Sequence, residues 1–87
     1  MAYRVEITRP AQKQILALPV PAQMEIALFI DPLVSNPRPP GCKKLRGTDL
    51  WRLRTGQYRV IYAIDDRAHL ATVLKVAVRR EDTYQGL

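Results

Sequence analysis

A single cysteine, Cys42, and a single histidine, His69, stand in the 87 residues of this chain. One thiol can form neither an intrachain disulfide nor a thiolate-built zinc site, which suits a reducing compartment. Long apolar runs are missing as well. No stretch approaches the ~20 consecutive apolar residues that span a bilayer. The opening residues MAYRVEITRP alternate, with charges at Arg4 and Glu6, where a signal peptide would be continuously apolar. The expectation is a soluble cytoplasmic protein with no membrane partner, bound metal or cofactor. Internal repeats, low-complexity tracts and linkers are also lacking, so residues 1–87 are read as one small domain.

Acidic residues are scarce: 8 Asp and Glu against 14 Lys and Arg, a net charge of +6. With a hydrophobic share of 47% and a charged share of 25%, the chain should fold rather than stay disordered. Its basic balance points to a polyanionic partner: nucleic acid, an acidic protein or an anionic surface. Composition cannot choose among these. The placement of the charges must.

Tyr3, Val5 and Ile7 alternate with Arg4 and Glu6, the pattern of a half-buried strand. Thr8 can N-cap a following helix, and Pro10 is tolerated in its first turn, where a missing N–H costs nothing. Ala11, Ile15 and Leu18 recur at helical spacing until Pro19 and Pro21 stop the helix. A second helix covers residues 22–30, with Met24, Ala27, Leu28 and Ile30 expected on the sheet; Pro32 ends or kinks it, and Leu33 and Val34 suggest a further turn. The segment Asn36-Pro37-Arg38-Pro39-Pro40-Gly41 is a stiff extended connector. Three strands follow, at 50–54, 58–65 and 69–78, and the polar tail is read as closing with a single helical turn. The fold class is therefore α+β, in two layers and the order β-α-α-β-β-β. Two helices would pack on one face of a mainly antiparallel four-stranded sheet, leaving the other face bare.

What lies on that bare face follows from one turn. Gly56-Gln57 suits a two-residue type II′ hairpin. Thr55 then pairs with Tyr58, Arg54 with Arg59, and Arg52 with Ile61, and cross-strand partners share a face. Arg52, Arg54 and Arg59 converge on one side, with Trp51, Leu53, Tyr58, Val60, Tyr62 and Ile64 on the other. A three-residue turn would push Arg59 among Trp51 and Leu53, where an unpaired cation is costly. Continuous alternation along the last strand puts Leu70, Thr72, Leu74, Val76 and Val78 in the core. Ala71, Val73, Lys75, Ala77 and Arg79 would then join the arginine face. Arginine directly opposite arginine is a local cost of up to ~1 kcal/mol. Such violations concentrate where function demands them. A phosphate of RNA or DNA is the anion that best suits this face.

The runs NPRPPGCKKLRG and LWRLRTGQYRVIY, with the ending VRREDTY, resemble the RelE/ParE superfamily of bacterial and archaeal toxins over nearly the whole chain. The RelE-like branch implies a ribosome-dependent endoribonuclease cutting mRNA in the A site. Its site residues map onto Arg52, Arg54, Arg59, Arg79, Arg80 and Tyr84. Lys43, Lys44, Arg46 and Lys75 would contact RNA or the ribosome. The resemblance also implies a small cognate antitoxin as partner, with promoter DNA reached only indirectly through it. A ParE-like member would instead inhibit DNA gyrase without nuclease activity. Cleavage by 2′-OH attack needs a base, an acid and positive charge on the phosphorane. Arginine supplies the charge but stays protonated. No His–His or His–Glu pair is available, which leaves Tyr84 as the candidate base and Arg79 or Arg80 beside the leaving oxygen. His69 and the Asp65-Asp66 pair are read as turn residues.

Overall fold

In the computed structural model, residues 2–78 are described. Strand β1 (Arg4–Ile7) leads into helix α1 (Arg9–Leu16), helix α2 (Val20–Ile30) and a 3-10 turn over Asp31–Val34. Strands β2 (Lys43–Lys44), β3 (Leu50–Thr55), β4 (Tyr58–Asp65) and β5 (Leu70–Val78) follow. They form a sheet of order β1-β5-β4-β3-β2. β1 runs parallel to β5, and every other pair is antiparallel. The sheet thus has five strands where four were expected. The additional one, Lys43–Lys44, is two residues long, too short for alternation to reveal. Among the described residues no helix is long and apolar enough to cross a membrane.

Local chemistry sets the helix ends much as anticipated. The Thr8 hydroxyl accepts from the Ala11 amide at 3.4 Å, and Pro10 occupies the first turn of α1. Pro32 cannot donate to the Leu28 carbonyl, and the chain tightens there into the 3-10 turn. The phase of α2 differs from expectation. Ala22, Ile26 and Ile30 face the sheet, whereas Met24 and Leu28 are 65% and 73% exposed. α2 is apolar around most of its circumference, so its pattern does not say which stripe is buried. The spacing of 22, 26 and 30, one residue per turn, becomes visible only against the sheet.

The core lies between the helices and one sheet face. Ala11, Ile26, Ile30 and Leu33 meet Leu53, Val60, Tyr62, Val73 and Val76, all buried. Removing each such Val, Leu or Ile side chain from water contributes roughly 1.5–3 kcal/mol. Two members show where simple alternation fails. Val76 pairs with Val60, as a continuous strand requires, but Val73 pairs with Tyr62, so Leu74 is an extra residue opposite the Ile61–Tyr62 step. This β-bulge reverses the parity of β5. Ala71 and Val73, assigned above to the arginine face, are fully buried in the core. Leu70 and Thr72 take the other side, while Lys75 and Ala77 stay where alternation put them.

The backbone groups disturbed by the bulge are satisfied from α1 and its cap. Thr8 donates its amide to the Val73 carbonyl at 3.0 Å and its hydroxyl to the Leu74 carbonyl at 3.4 Å. The Val76 amide donates to Oε1 of Gln14 at 2.7 Å. Gln14→Leu would leave that half-buried N–H unsatisfied, at a cost of about 1–3 kcal/mol. Urea unfolding of the variant against the parent measures it.

Candidate nucleic-acid interface

Hairpin chemistry positions the basic residues. Gly56 adopts φ +49° at the first turn position, and Gln57 does not enter the left-handed region, as a type II′ turn requires. The register that follows pairs Thr55 with Tyr58, Arg54 with Arg59 and Arg52 with Ile61. Helices cover the Leu53 and Val60 face, so the arginines stand on the opposite face, which no helix of the described residues covers.

Across the sheet these side chains fall into rows. Nearest the turn, Arg54, Arg59 and Ala77 stand side by side on β3, β4 and β5. Two residues further on, Lys43, Arg52, Ile61 and Lys75 form a line across β2, β3, β4 and β5. Neighbours within a row are about 4.8 Å apart, and the rows themselves are roughly 7 Å apart. Arg54, Lys43 and Lys75 are exposed; Arg52 and Arg59 are half-buried, and Nε of Arg59 is buried. Neither row holds an acidic residue. Among the described residues, the strand acids of this face, Glu6 and Asp65, lie in rows nearer the opposite end of the sheet, with Glu6 held by Arg4 at 3.3 Å. Planar guanidinium forks in this arrangement are suited to bidentate binding of phosphate oxygens.

The structure therefore brings together Arg52, Arg54, Arg59, Lys43 and Lys75. Lys44 is not among them: it pairs with Trp51 and so projects on the helix side, lining a cleft with Arg38, Asp49 and Asp66. Successive residues of a strand alternate faces, so adjacent lysines cannot both join the row. Arg46 is exposed in the loop after β2. Arg79, Arg80, Tyr84 and the helical turn expected of the tail lie outside the described residues.

Residues 5–83 match the family model of the ParE toxin of type II toxin–antitoxin systems, parDE. The chain belongs to the RelE/ParE toxin superfamily. It is 37% identical over 86 residues to Toxin RelE of Mycobacterium tuberculosis, covering 95% of this chain and 87% of that one. Among solved structures, it is similar to the archaeal RelE of the RelE–RelB complex from Pyrococcus horikoshii. There the TM-score is 0.83 at 34% identity, covering 93% of this chain and 99% of that one. The RelBE2 toxin–antitoxin complex of Mycobacterium tuberculosis gives 0.82 at 28%, covering 91% and 100%. The toxin is thus RelE-like in fold and sequence, although the family model that matches is named for ParE.

A cluster that motif reading missed anchors the connector of this toxin and, beyond it, β2. Arg38 donates to both oxygens of Asp66, at 3.1 and 2.8 Å, and its guanidinium lies 5.0 Å over the ring of Trp51. Tyr3 donates to the same carboxylate at 2.6 Å, and its ring meets His69 edge-on at 5.3 Å. Beneath them the buried Tyr62 hydroxyl donates to the Pro37 carbonyl at 2.8 Å. Burial and the nearby Cys42 raise the Tyr62 pKa, so it remains a donor. No local pattern signals this cluster, because Arg38 and Asp66 are 28 residues apart. Its place on the helix side of β3, with Trp51, sets it apart from the arginine rows.

Two expectations follow for the toxin. Relief of the Arg54–Arg59 repulsion makes Arg54→Ala as stable as the parent or more stable, by up to ~1 kcal/mol in urea unfolding. The hydrogen bonds from Arg38, then that from Tyr3, lower the Asp66 pKa from its ordinary 3.8 to about 2. A depressed carboxylate pKa stabilises the fold above the unfolded value and ceases to do so as pH falls through the folded one. Asp66→Asn should therefore melt below the parent at pH 7, with the gap narrowing between about pH 4 and pH 2. Thermal scans across that range check it.

Proposed function

We propose that this toxin is a ribosome-dependent endoribonuclease that cuts mRNA in the A site and so stops translation. The observation that carries the reading is the convergence of Arg52, Arg54 and Arg59 on the sheet face opposite α1 and α2, with Arg54 directly across from Arg59. A phosphate lying between two facing guanidiniums is bound by both of their planar forks. Identity to a protein named Toxin RelE supports the branch.

In the proposed reaction the ribose 2′-oxygen attacks the adjacent phosphorus, and the bond to the 5′-oxygen breaks. The products are a 2′,3′-cyclic phosphate and a free 5′-hydroxyl. Arg52, Arg54 and Arg59 hold the phosphate and stabilise the extra negative charge of the phosphorane. Arg79 or Arg80 assists at the leaving 5′-oxygen, which takes its proton from water, and Tyr84 accepts the 2′-OH proton. Arginine is a strong anion holder and a poor proton acceptor. Naked RNA should consequently be cut slowly, and rapid cleavage requires the ribosome to align the 2′-oxygen with phosphorus. Lys43, Lys75 and Arg46 engage RNA backbone around the cut; Lys44, on the other side of the sheet, is left out of this group. A small acidic antitoxin would neutralise the +6 chain, as RelB partners RelE in the complexes named above, with promoter DNA bound only through that antitoxin.

The match to the ParE family model favours a second reading, inhibition of DNA gyrase without RNA cleavage. Mapping mRNA 5′ ends after induction separates the two. New ends phased to A-site codons, lost in Arg59→Ala with a fall of at least about 10²-fold in rate, support the nuclease. Uncut mRNA with double-strand DNA breaks and an SOS response would replace it with the gyrase reading.

A further inference from the structure

We infer that Ile61 is a substrate-positioning residue, the apolar seat for one unpaired nucleotide between cations that hold the flanking phosphates. The inference rests on the nuclease reading and deepens it. In the row Lys43, Arg52, Ile61 and Lys75, Ile61 is the uncharged member. Along its own strand its same-face neighbours are Arg59 and Ala63. Three cations therefore surround it: Arg52 on one side, Lys75 on the other and Arg59 toward the turn. It makes no contribution to the core beneath the helices, which takes Val60 and Tyr62 from the same strand.

A row that reads cation, isoleucine, cation matches the chemistry of a single RNA strand laid across the sheet. Phosphates go to arginine and lysine, and the base or ribose between them goes to an apolar side chain. A duplex does not fit, because its base faces are stacked inside and its exterior offers only phosphates, hydroxyls and base edges. The axis is also set. The RNA would lie along the row between β2 and β5, perpendicular to the protein strands, with the Arg54–Arg59 pair beside it at the phosphate to be cut. If Ile61 were merely a strand-forming residue shielded by arginine stems, adding charge there would strengthen RNA binding.

The test uses the full-length toxin, programmed ribosomes, and mRNAs carrying one abasic nucleotide at each A-site position in turn. Ile61→Val should cleave like the parent. Ile61→Lys should lose about tenfold in cleavage rate despite its extra charge, with melting temperature and antitoxin binding unchanged. At one A-site position the abasic substitution should slow the parent but have no further effect on Ile61→Ala. If Ile61→Lys cleaves as fast as the parent or faster, or if Ile61→Ala is slowed like the parent at every abasic position, the inference is overturned. A parent toxin that leaves intact mRNA uncut would instead overturn the nuclease reading itself.

Discussion

Everything on the arginine face depends on a turn of two residues. Had the hairpin closed with three, every side chain of β4 would have changed sides relative to β3. Arg59 would then lie among Trp51 and Leu53, and Val60 would be stranded among arginines. Gly56 permits the positive φ that a type II′ turn needs at its first position, and burial of Val60 and Tyr62 enforces the same register from the other face. Core and site are thus two readouts of one constraint, and neither can slip without the other.

The bulge at Leu74 solves a related conflict on β5. One unbroken alternation could not place Val73 and Val76 in the core together, since they differ by an odd number of residues. The extra residue lets the N-terminal half of β5 bury Ala71 and Val73, while the C-terminal half buries Val76 and keeps Lys75 on the basic face. Thr8 and Gln14 bond the backbone groups around the bulge, tying α1 to the strand that carries Lys75. Gain on one face and order on the other are coupled through a helix cap.

Anchoring of the connector is kept apart from the site. Arg38, Asp66, Tyr3 and Trp51 fasten the proline-rich segment on the helix side, using an arginine that meets its carboxylate within the protein. On the opposite face Arg54 stands directly across the hairpin from Arg59, a like-charge pairing that carries a local cost. The same residue type therefore stabilises the fold at position 38 and works against it at position 54.

The hairpin register, the arginine face, the N-cap at Thr8 and the two-layer order were all legible in the sequence. Each follows from local rules: period-two alternation, glycine at a positive φ, proline at a helix boundary. The burial phase of α2, the bulge at Leu74, the short strand at Lys43–Lys44 and the Arg38–Asp66 contact were not legible. An all-round apolar helix takes its orientation from the sheet, and an inserted strand residue is recognised only by its partner. Two residues do not make a pattern, and an ion pair across 28 positions leaves no local trace. What the sequence by itself determined was which arginines share a face, because alternation and turn length act between near neighbours. Only the tertiary structure aligned them into rows with Lys43 and Lys75, because that alignment depends on strand pairings that the hairpin turn does not fix.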